Sequence, residues 1–157
     1  MASLEEIRNE RLKKLELLKG RGVDPYPITS RRDFALSAVE RNFTKLSKKK
    51  KPLFLVGRVI ARRGQGALIF FDFTDGTGAF QGLAKKGDMP EDDFRLFDDT
   101  VDIGDFVEVK GTLFTTKKRG ADNRRISVAD ACQIASSASR EMARTPEYRR
   151  TVQASVP

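Results

Sequence analysis

The residues best suited to ligand chemistry in this sequence lie in a short, phenylalanine-rich stretch, ALIFFDFT at 67–74. Side chains alternate between the two faces of a strand, so Phe71 and Phe73 share one face and Phe70 lies on the other. The two rings on one face suffice to fill the interior side of a small sheet. Phe70 therefore points outward beside Asp72, where its ring is available to stack on a nucleobase.

A glutamine and several arginines are placed to complete a nucleotide-reading surface around Phe70. If Phe80 is interior on the following strand, Gln81 is exterior, and its amide can hydrogen-bond the edge of an unstacked base. The preceding strand and the turn after it carry three arginines: Arg58, Arg62 and Arg63. The first two share a parity, and such groups offset phosphate charge. A second interpretation stays open, in which Phe70 packs under the first helix or a loop, because short strands misalign easily.

The composition excludes several kinds of catalytic site. The chain contains no histidine, so it cannot build Ser-His or Cys-His catalysis or a histidine-ligated zinc site. A metal site made of carboxylates alone has no ligand-loop spacing to support it. The single cysteine, Cys132, cannot form an internal disulfide and is expected to pack in the core. With no apolar run of membrane-spanning length, the sequence indicates a cytoplasmic protein and no membrane partner.

The net charge of +8 is distributed unevenly along the chain. Residues 1–51 carry 14 basic and 7 acidic groups, residues 52–110 carry 7 and 11, and residues 111–157 carry 9 and 4. Basic flanks around an acidic middle favour a polyanionic partner that is met by particular surfaces. The alternative is that the lysines only keep a small domain soluble.

A change of hydrophobic period divides the chain into a helical segment and a β domain. A capping box at Ser3 and Glu6 starts a helix over 4–19, and i, i+4 spacing favours a second over 35–46, with Ser30 and Asp33 as its N-cap signal. From residue 52 the period becomes 2. The predicted elements are strands at 53–63, 67–74 and 79–84, a short helix within 89–99, and strands at 105–116 and 126–135, the last two joined by a basic loop at 117–125.

This order of elements, β1-β2-β3-α-β4-β5, predicts a mainly β chain built on a five-stranded OB-fold Greek-key barrel. Gly57 is the expected position of a bulge or a sharp coil in the first strand. The predicted division is a helical extension at 1–51, the OB domain at 52–135 and a C-terminal tail at 136–157. OB barrels commonly bind oligonucleotides on the face of their second and third strands, which here carry Phe70 and Gln81.

Three segments resemble the N-terminal anticodon-binding region of bacterial-type lysyl-tRNA synthetases. They are RNERLKKLELLKGRGVDPYP at 8–27, VGRVIARRGQGALIFFDFTDGTGAFQ at 56–81 and DIGDFVEVKGTLFTTK at 102–117. The middle segment is shared with aspartyl- and asparaginyl-tRNA synthetases, whereas the other two favour the lysyl branch. The resemblance covers roughly residues 4 to 135.

The resemblance implies a role for each matching residue in binding the anticodon loop of a lysine tRNA. Phe70 corresponds to the phenylalanine that stacks on an anticodon base, and Gln81 to the glutamine that reads the central uridine. Arg58, Arg62 and Arg63 match the basic residues of the first strand and turn. Contacts to the tRNA backbone are expected from five further residues: Arg8, Arg11, Lys117, Arg124 and Arg125.

The sequence departs from the family pattern in the loop before the last strand. The family carries a glutamate there, in a TGELS-like run that helps to read an anticodon base. In this chain the loop is RGADNRRIS, and the alignment places Asn123 at that position, followed by Arg124 and Arg125. The contact to the wobble base is therefore open, and the loop is expected to seek phosphate.

The resemblance implies a tRNA anticodon-binding OB domain, either that of a truncated lysine–tRNA ligase or that of a stand-alone relative. The complete enzymes are homodimers that use ATP and magnesium, and a chain of 157 residues has no room for both the barrel and a synthetase core. We therefore expect no catalytic residue, metal or cofactor in this chain, and no aminoacylation by it alone. Two alternatives remain, a general single-stranded nucleic-acid-binding OB protein and an interaction protein whose helices dock a partner.

Overall fold

The computed structural model describes residues 2–118 and 121–135, and the side chains of 2–116 and 124–127 among them. The helices are α1 (Leu4–Gly20), α2 (Leu36–Arg41), α3 (Phe43–Lys48) and α4 (Glu91–Thr100). The strands are β1 (Leu53–Gln65), β2 (Leu68–Thr74), β3 (Ala79–Lys85), β4 (Phe106–Lys118) and β5 (Ala121–Ala135). The predicted tail at 136–157 and the predicted core side chain of Cys132 lie outside the described residues.

The five strands form a closed barrel in the order β1-β2-β3-β5-β4. Neighbouring strands pair antiparallel, except that β3 and β5 run parallel where the barrel closes. The helix α4 lies between β3 and β4 in the chain. The predicted OB-fold barrel and its N-terminal helix are thus confirmed.

The barrel interior is filled by alternate side chains of each strand, as the period of 2 predicts. On β2, Phe71 and Phe73 are 1% and 0% exposed, and their ring centroids lie 5.6 Å apart. The ring of Phe97 from α4 lies 5.1 Å from that of Phe71, so the helix closes the core at this point. Gly82 of β3 is required here because a Cβ at this position would collide with the Phe71 ring.

A bulge in β1 lies three residues beyond the position that the sequence indicated. The pairing of β1 with β2 shifts between Val59 and Ala61, whereas Gly57 stays in register with β4. The extra residue separates the faces of the two arginines, because Arg58 pairs with the outward Thr74 and Arg62 with the inward Phe71. The shared parity of Arg58 and Arg62 therefore does not place them on one face of β1.

Arg62 joins β1 to the C-terminal end of α4. Its Nη1 donates to the carbonyl oxygen of Val101 at 2.8 Å, and its Nη2 donates to the carbonyl oxygen of Asp98 at 2.8 Å and to the Asp98 carboxylate. A helix leaves its last carbonyl groups without partners inside the helix, so a cation that binds them there is favourable. The adjacent Arg63 is exposed.

The helix α1 begins with the predicted capping box and is held to the barrel by ion pairs. The backbone N–H of Ser3 donates to Glu6, and that of Glu6 donates back to the Ser3 hydroxyl. Arg11 pairs with the buried Asp105 at 3.0 Å, and Lys14 donates to Asp102 at 2.7 Å. Among the helices that the structure describes, none is long and apolar enough to span a membrane.

The predicted helix at 35–46 is in fact two short helices, α2 and α3, which meet at Asn42. The cap of α2 is also different, because the carboxylate that accepts from the N–H of Leu36, at 2.9 Å, belongs to Asp75 in the β2–β3 turn. Asp33 instead accepts from the N–H of Phe54 at 2.8 Å. The prediction of Ser30 and Asp33 as an N-cap was wrong because the cap comes from a residue distant in sequence.

The last strand begins five residues before the predicted position. Most of the predicted loop at 117–125 belongs to a long hairpin, in which Lys118 pairs with Ala121. As a result Arg124 and Arg125 lie in β5, and Arg125 is in register with Gln81 on β3. Residues expected in a loop are thereby fixed beside the outer face of the barrel.

Asp75 should stabilise the junction between the β2–β3 turn and α2. Burial raises the pKa of its carboxyl group, but hydrogen bonds from Thr77, Leu36 and Gly78 outweigh this and lower the pKa below its usual range. The stabilisation is therefore present above the unfolded-state pKa and is lost as the pH falls through the lowered folded-state value. We expect Asp75→Ala, which removes this acceptor, to reduce the free energy of unfolding at neutral pH by about 1 kcal/mol, measured by urea denaturation. Asp99→Ala, at an exposed position of α4, is the control, and equal stability of both variants would contradict this role.

The two adjacent arginines should differ in their contribution to stability. Arg62→Ala leaves the carbonyl groups at the end of α4 without their donor, so the free energy of unfolding should fall by about 1–3 kcal/mol. Arg63→Ala should change it by no more than about 0.5 kcal/mol. Urea denaturation of the two variants measures both values, and a loss of the same size in each would show that Arg62 does not anchor α4.

Candidate nucleic-acid interface

The candidate site lies on the outer face of β2 and β3, where side chains with even numbers on β2 meet those with odd numbers on β3. Phe70 pairs with Leu83, and Asp72 pairs with Gln81. Phe70 is half-buried, whereas its neighbours Ile69 and Phe71 are fully buried in the core. The packing of the interior therefore places the Phe70 ring on the outside, diagonally adjacent to Gln81.

The carboxamide of Gln81 is oriented by Asp72. Gln81 Nε2 donates to Asp72 Oδ1 at 2.8 Å, across the pair of strands. Because Nε2 faces Asp72, Gln81 Oε1 is left as an acceptor for a ligand. The site therefore offers a fixed amide edge beside an aromatic ring.

Three arginines surround these residues, each in a different environment. The guanidinium carbon of Arg125 lies 5.1 Å from the centroid of the Phe70 ring. Arg124 donates from Nη1 to the carbonyl oxygen of Glu40 at 3.1 Å and lies over another ring, that of Phe43. Arg63 is exposed and is in register with Phe70 on β1.

Gln81, Asp72 and the three arginines line one depression of about 730 Å³ on the barrel surface. Its lining consists of Glu40, Arg63, Asp72, Ala79, Phe80, Gln81, Arg124 and Arg125. Three guanidinium groups outnumber two carboxylates, so the depression favours an anion. An aromatic ring, an oriented amide and guanidinium groups are the kinds of side chain that bind single-stranded nucleic acid.

Other predicted site residues lie away from this depression. Arg58 is exposed, with its Nε donating to the carbonyl oxygen of Gly104 at 3.1 Å. Arg62 is bound to α4, and it lines a separate cavity of about 610 Å³ between α1 and the barrel. Arg11 lines that same cavity in its ion pairs with Asp102 and Asp105. These three side chains are thus engaged within the protein.

The remaining predicted residues are only partly described. Arg8 is exposed on α1. The backbones of Lys117 and Asn123 lie in the β4–β5 hairpin, where Asn123 pairs with Thr116, but their side chains lie outside the described residues. Their assignment to tRNA contacts stays a prediction.

The sequence did not identify two features of the site, the role of Asp72 and the position of Arg125. A signal for the first was present, because the turn at 75–78 sets Thr74 against Ala79 and so brings Asp72 opposite Gln81. The second depends on where β5 meets β3, and no local pattern specifies that register.

Comparison with known proteins agrees with this geometry. A family model described as an OB-fold nucleic acid binding domain, of the tRNA anticodon type, matches residues 54–131. The chain is 36% identical over 116 residues to lysine–tRNA ligase of Roseiflexus sp. (strain RS-1), which covers 73% of this chain and 24% of the relative. Lysine–tRNA ligase of Dehalococcoides mccartyi (strain BAV1) is 33% identical over 117 residues, or 72% of this chain and 23% of the relative.

A further relative shows the same partial coverage. Lysine–tRNA ligase 2 of Methanosarcina mazei is 32% identical over 120 residues, which are 76% of this chain and 23% of that protein. The chain thus spans about a quarter of the length of the curated relatives that it matches. Residues 54–131 belong to the family of OB-fold nucleic acid binding domains, and the chain therefore carries an anticodon-binding OB domain similar to that at the N-terminus of lysyl-tRNA synthetases.

Proposed function

We propose that this chain binds the anticodon loop of a lysine tRNA on the outer face of β2 and β3. The observation that carries the proposal is the half-buried Phe70, which lies beside Gln81 with its carboxamide oriented by Asp72. In a barrel whose interior holds Phe71 and Phe73, this third ring on β2 has no role in filling the core. An anticodon base that leaves the stack of its neighbouring bases would recover this stacking energy on the Phe70 ring.

Gln81 would read the edge of the stacked base. Because Nε2 is directed to Asp72, Oε1 accepts, and uracil supplies a matching donor at N3. Cytosine has an unprotonated acceptor at N3, so in a pose that places N3 against Oε1 it would be repelled where uracil donates. The arrangement therefore supports recognition of uridine, as the lysine anticodon requires at its central position.

The surrounding arginines would position the RNA backbone. Arg63, on β1, is exposed at the rim of the depression and is free to contact phosphate. Arg124 lines the same depression from β5. Contacts to phosphate supply affinity and salt dependence but carry no sequence information directly. Recognition would then depend on Phe70 and Gln81, and affinity in part on the arginines.

The choice of tRNA rests on the relatives, whose names state that they are lysine–tRNA ligases. We prefer it for that reason to a general single-stranded nucleic-acid binder. Under this proposal the chain provides the tRNA-binding part of such a ligase and works in the cytoplasm. The ATP, the magnesium and the homodimer interface implied for the ligase would belong to a catalytic domain outside these 157 residues.

Removal of the stacking ring should weaken RNA binding. We expect Phe70→Ala to cost about 1–3 kcal/mol of binding free energy for an RNA hairpin with a UUU loop triplet, measured by fluorescence anisotropy. Phe54→Ala is the matched control, since Phe54 is also a half-buried ring on the barrel exterior but contacts Arg31 and Lys110. Wild-type affinity in the Phe70 variant would refute base stacking at this position.

Changes at Gln81 and Asp72 should reduce discrimination more than total affinity. Gln81→Ala removes the acceptor, and Asp72→Asn allows the Gln81 amide to turn over, since an asparagine amide can donate to Oε1. The ratio of dissociation constants for hairpins with UCU and UUU triplets should fall toward one in both variants. Gln65→Ala, at the exposed end of β1, should leave the ratio unchanged. An unchanged ratio in the Gln81 variant would mean that this amide does not read the base.

A further inference from the structure

We propose that Arg125 forms the second face of the base-binding slot, so that the bound base lies between its guanidinium group and the Phe70 ring. This inference rests on the proposed function. It differs from the phosphate contact expected for Arg125 from the sequence, because it assigns the side chain to a base. The first observation is that the Arg125 guanidinium already covers the Phe70 ring in the free protein, at 5.1 Å.

The distance between the Arg125 guanidinium group and the Phe70 ring is intermediate. It is longer than that of two groups in direct stacking contact and shorter than that of two groups with a base between them. Stacked planar groups are about 3.4 Å apart, the rise per base along one strand of a duplex, so a base between two planes needs about 7 Å. At 5.1 Å the guanidinium occupies the place of a base but lies too close for one to enter without movement. A displacement of roughly 2 Å opens the slot, and the guanidinium plane can then stack on the inserted base.

The surroundings of Arg125 leave it able to make this movement. Its Nε is buried and has no hydrogen-bond partner within the described part of the chain. The neighbouring Arg124, in contrast, is fixed by its bond to the carbonyl oxygen of Glu40. Arg125 is thus held mainly by its contact with the Phe70 ring. A base inserted between the two groups would break that contact but would offer the guanidinium group a new surface to stack on.

The backbone places Arg125 beside the reading amide as well as the ring. Gln81 and Arg125 are in register across the parallel pair of β3 and β5, so their side chains leave the same face of the barrel. A base clamped between Phe70 and Arg125 would therefore present its edge near Gln81. The slot fits a flat, uncharged heterocycle with a hydrogen-bonding edge, which describes a base of single-stranded RNA such as the uracil proposed above.

The test separates a planar stacking group from a simple charge. Arg125→Lys keeps the charge, and lysine also binds phosphate, but it loses the planar group. We expect this variant to bind the UUU hairpin about tenfold more weakly, with an unchanged dependence of affinity on NaCl concentration. Arg31→Lys is the matched control, because Arg31 covers a different ring, that of Phe54, at 4.1 Å, and it should change affinity less than about threefold. Circular dichroism of each full-length variant checks that the barrel is intact.

Three further hairpins, each without the base of one triplet position, identify what Arg125 contacts. The loss caused by Arg125→Lys should disappear on the one hairpin that lacks the clamped base. Equal affinity of Arg125→Lys and wild type for intact RNA would overturn the inference, as would the same loss on all hairpins, which indicates a backbone contact. If Phe70→Ala still weakens binding in that case, the proposed function stands and only the clamp fails. If neither Phe70 nor any base affects affinity, both proposals fail.

Discussion

The outer face of this protein is determined by the packing of Phe71 inside the barrel. Its ring fits against the backbone of Gly82, where no side chain can be accommodated, and touches Phe97 from α4. This contact fixes which residues of β2 point inward, and a slip of one residue would reverse both faces of the strand. The positions of Phe70 and Asp72 relative to Gln81 follow from it. The candidate site is therefore specified by residues that no ligand touches.

The sequence predicted the parts of the structure that depend on local alternation. The five strands, the helix α4, the capping box of α1 and the outward direction of Phe70 all follow from period and turn chemistry. The sequence did not predict the features that depend on a partner residue distant along the chain. Asp75 caps α2 from a different turn, and β5 begins early because β4 is available to pair with it. Arg62 could not be placed because the bulge in β1 is not visible in its residue types.

The basic residues of this chain illustrate why charge patterns alone overestimate a binding surface. Arg11 pairs with Asp105, and Arg62 donates hydrogen bonds to the end of α4, so these two arginines position the helices around the barrel. Arg63 is exposed, and Arg125 lies on an aromatic ring, although both are chemically the same as the anchored ones. Burial and partners separate the two groups, and neither property can be read from the sequence.

The parallel junction between β3 and β5 brings together parts of the site that are far apart along the chain. Only a short segment, from Gln81 to Ala84, pairs with β5, whereas β4 pairs with β5 along its whole length. Such a short, non-local seam is expected to form late in folding and to open first in local fluctuations. Gln81 and Arg125 meet only across this seam. A partly folded chain, in which β3 and β5 have not paired, would therefore lack the assembled site. RNA bound at this site would show that the barrel has closed.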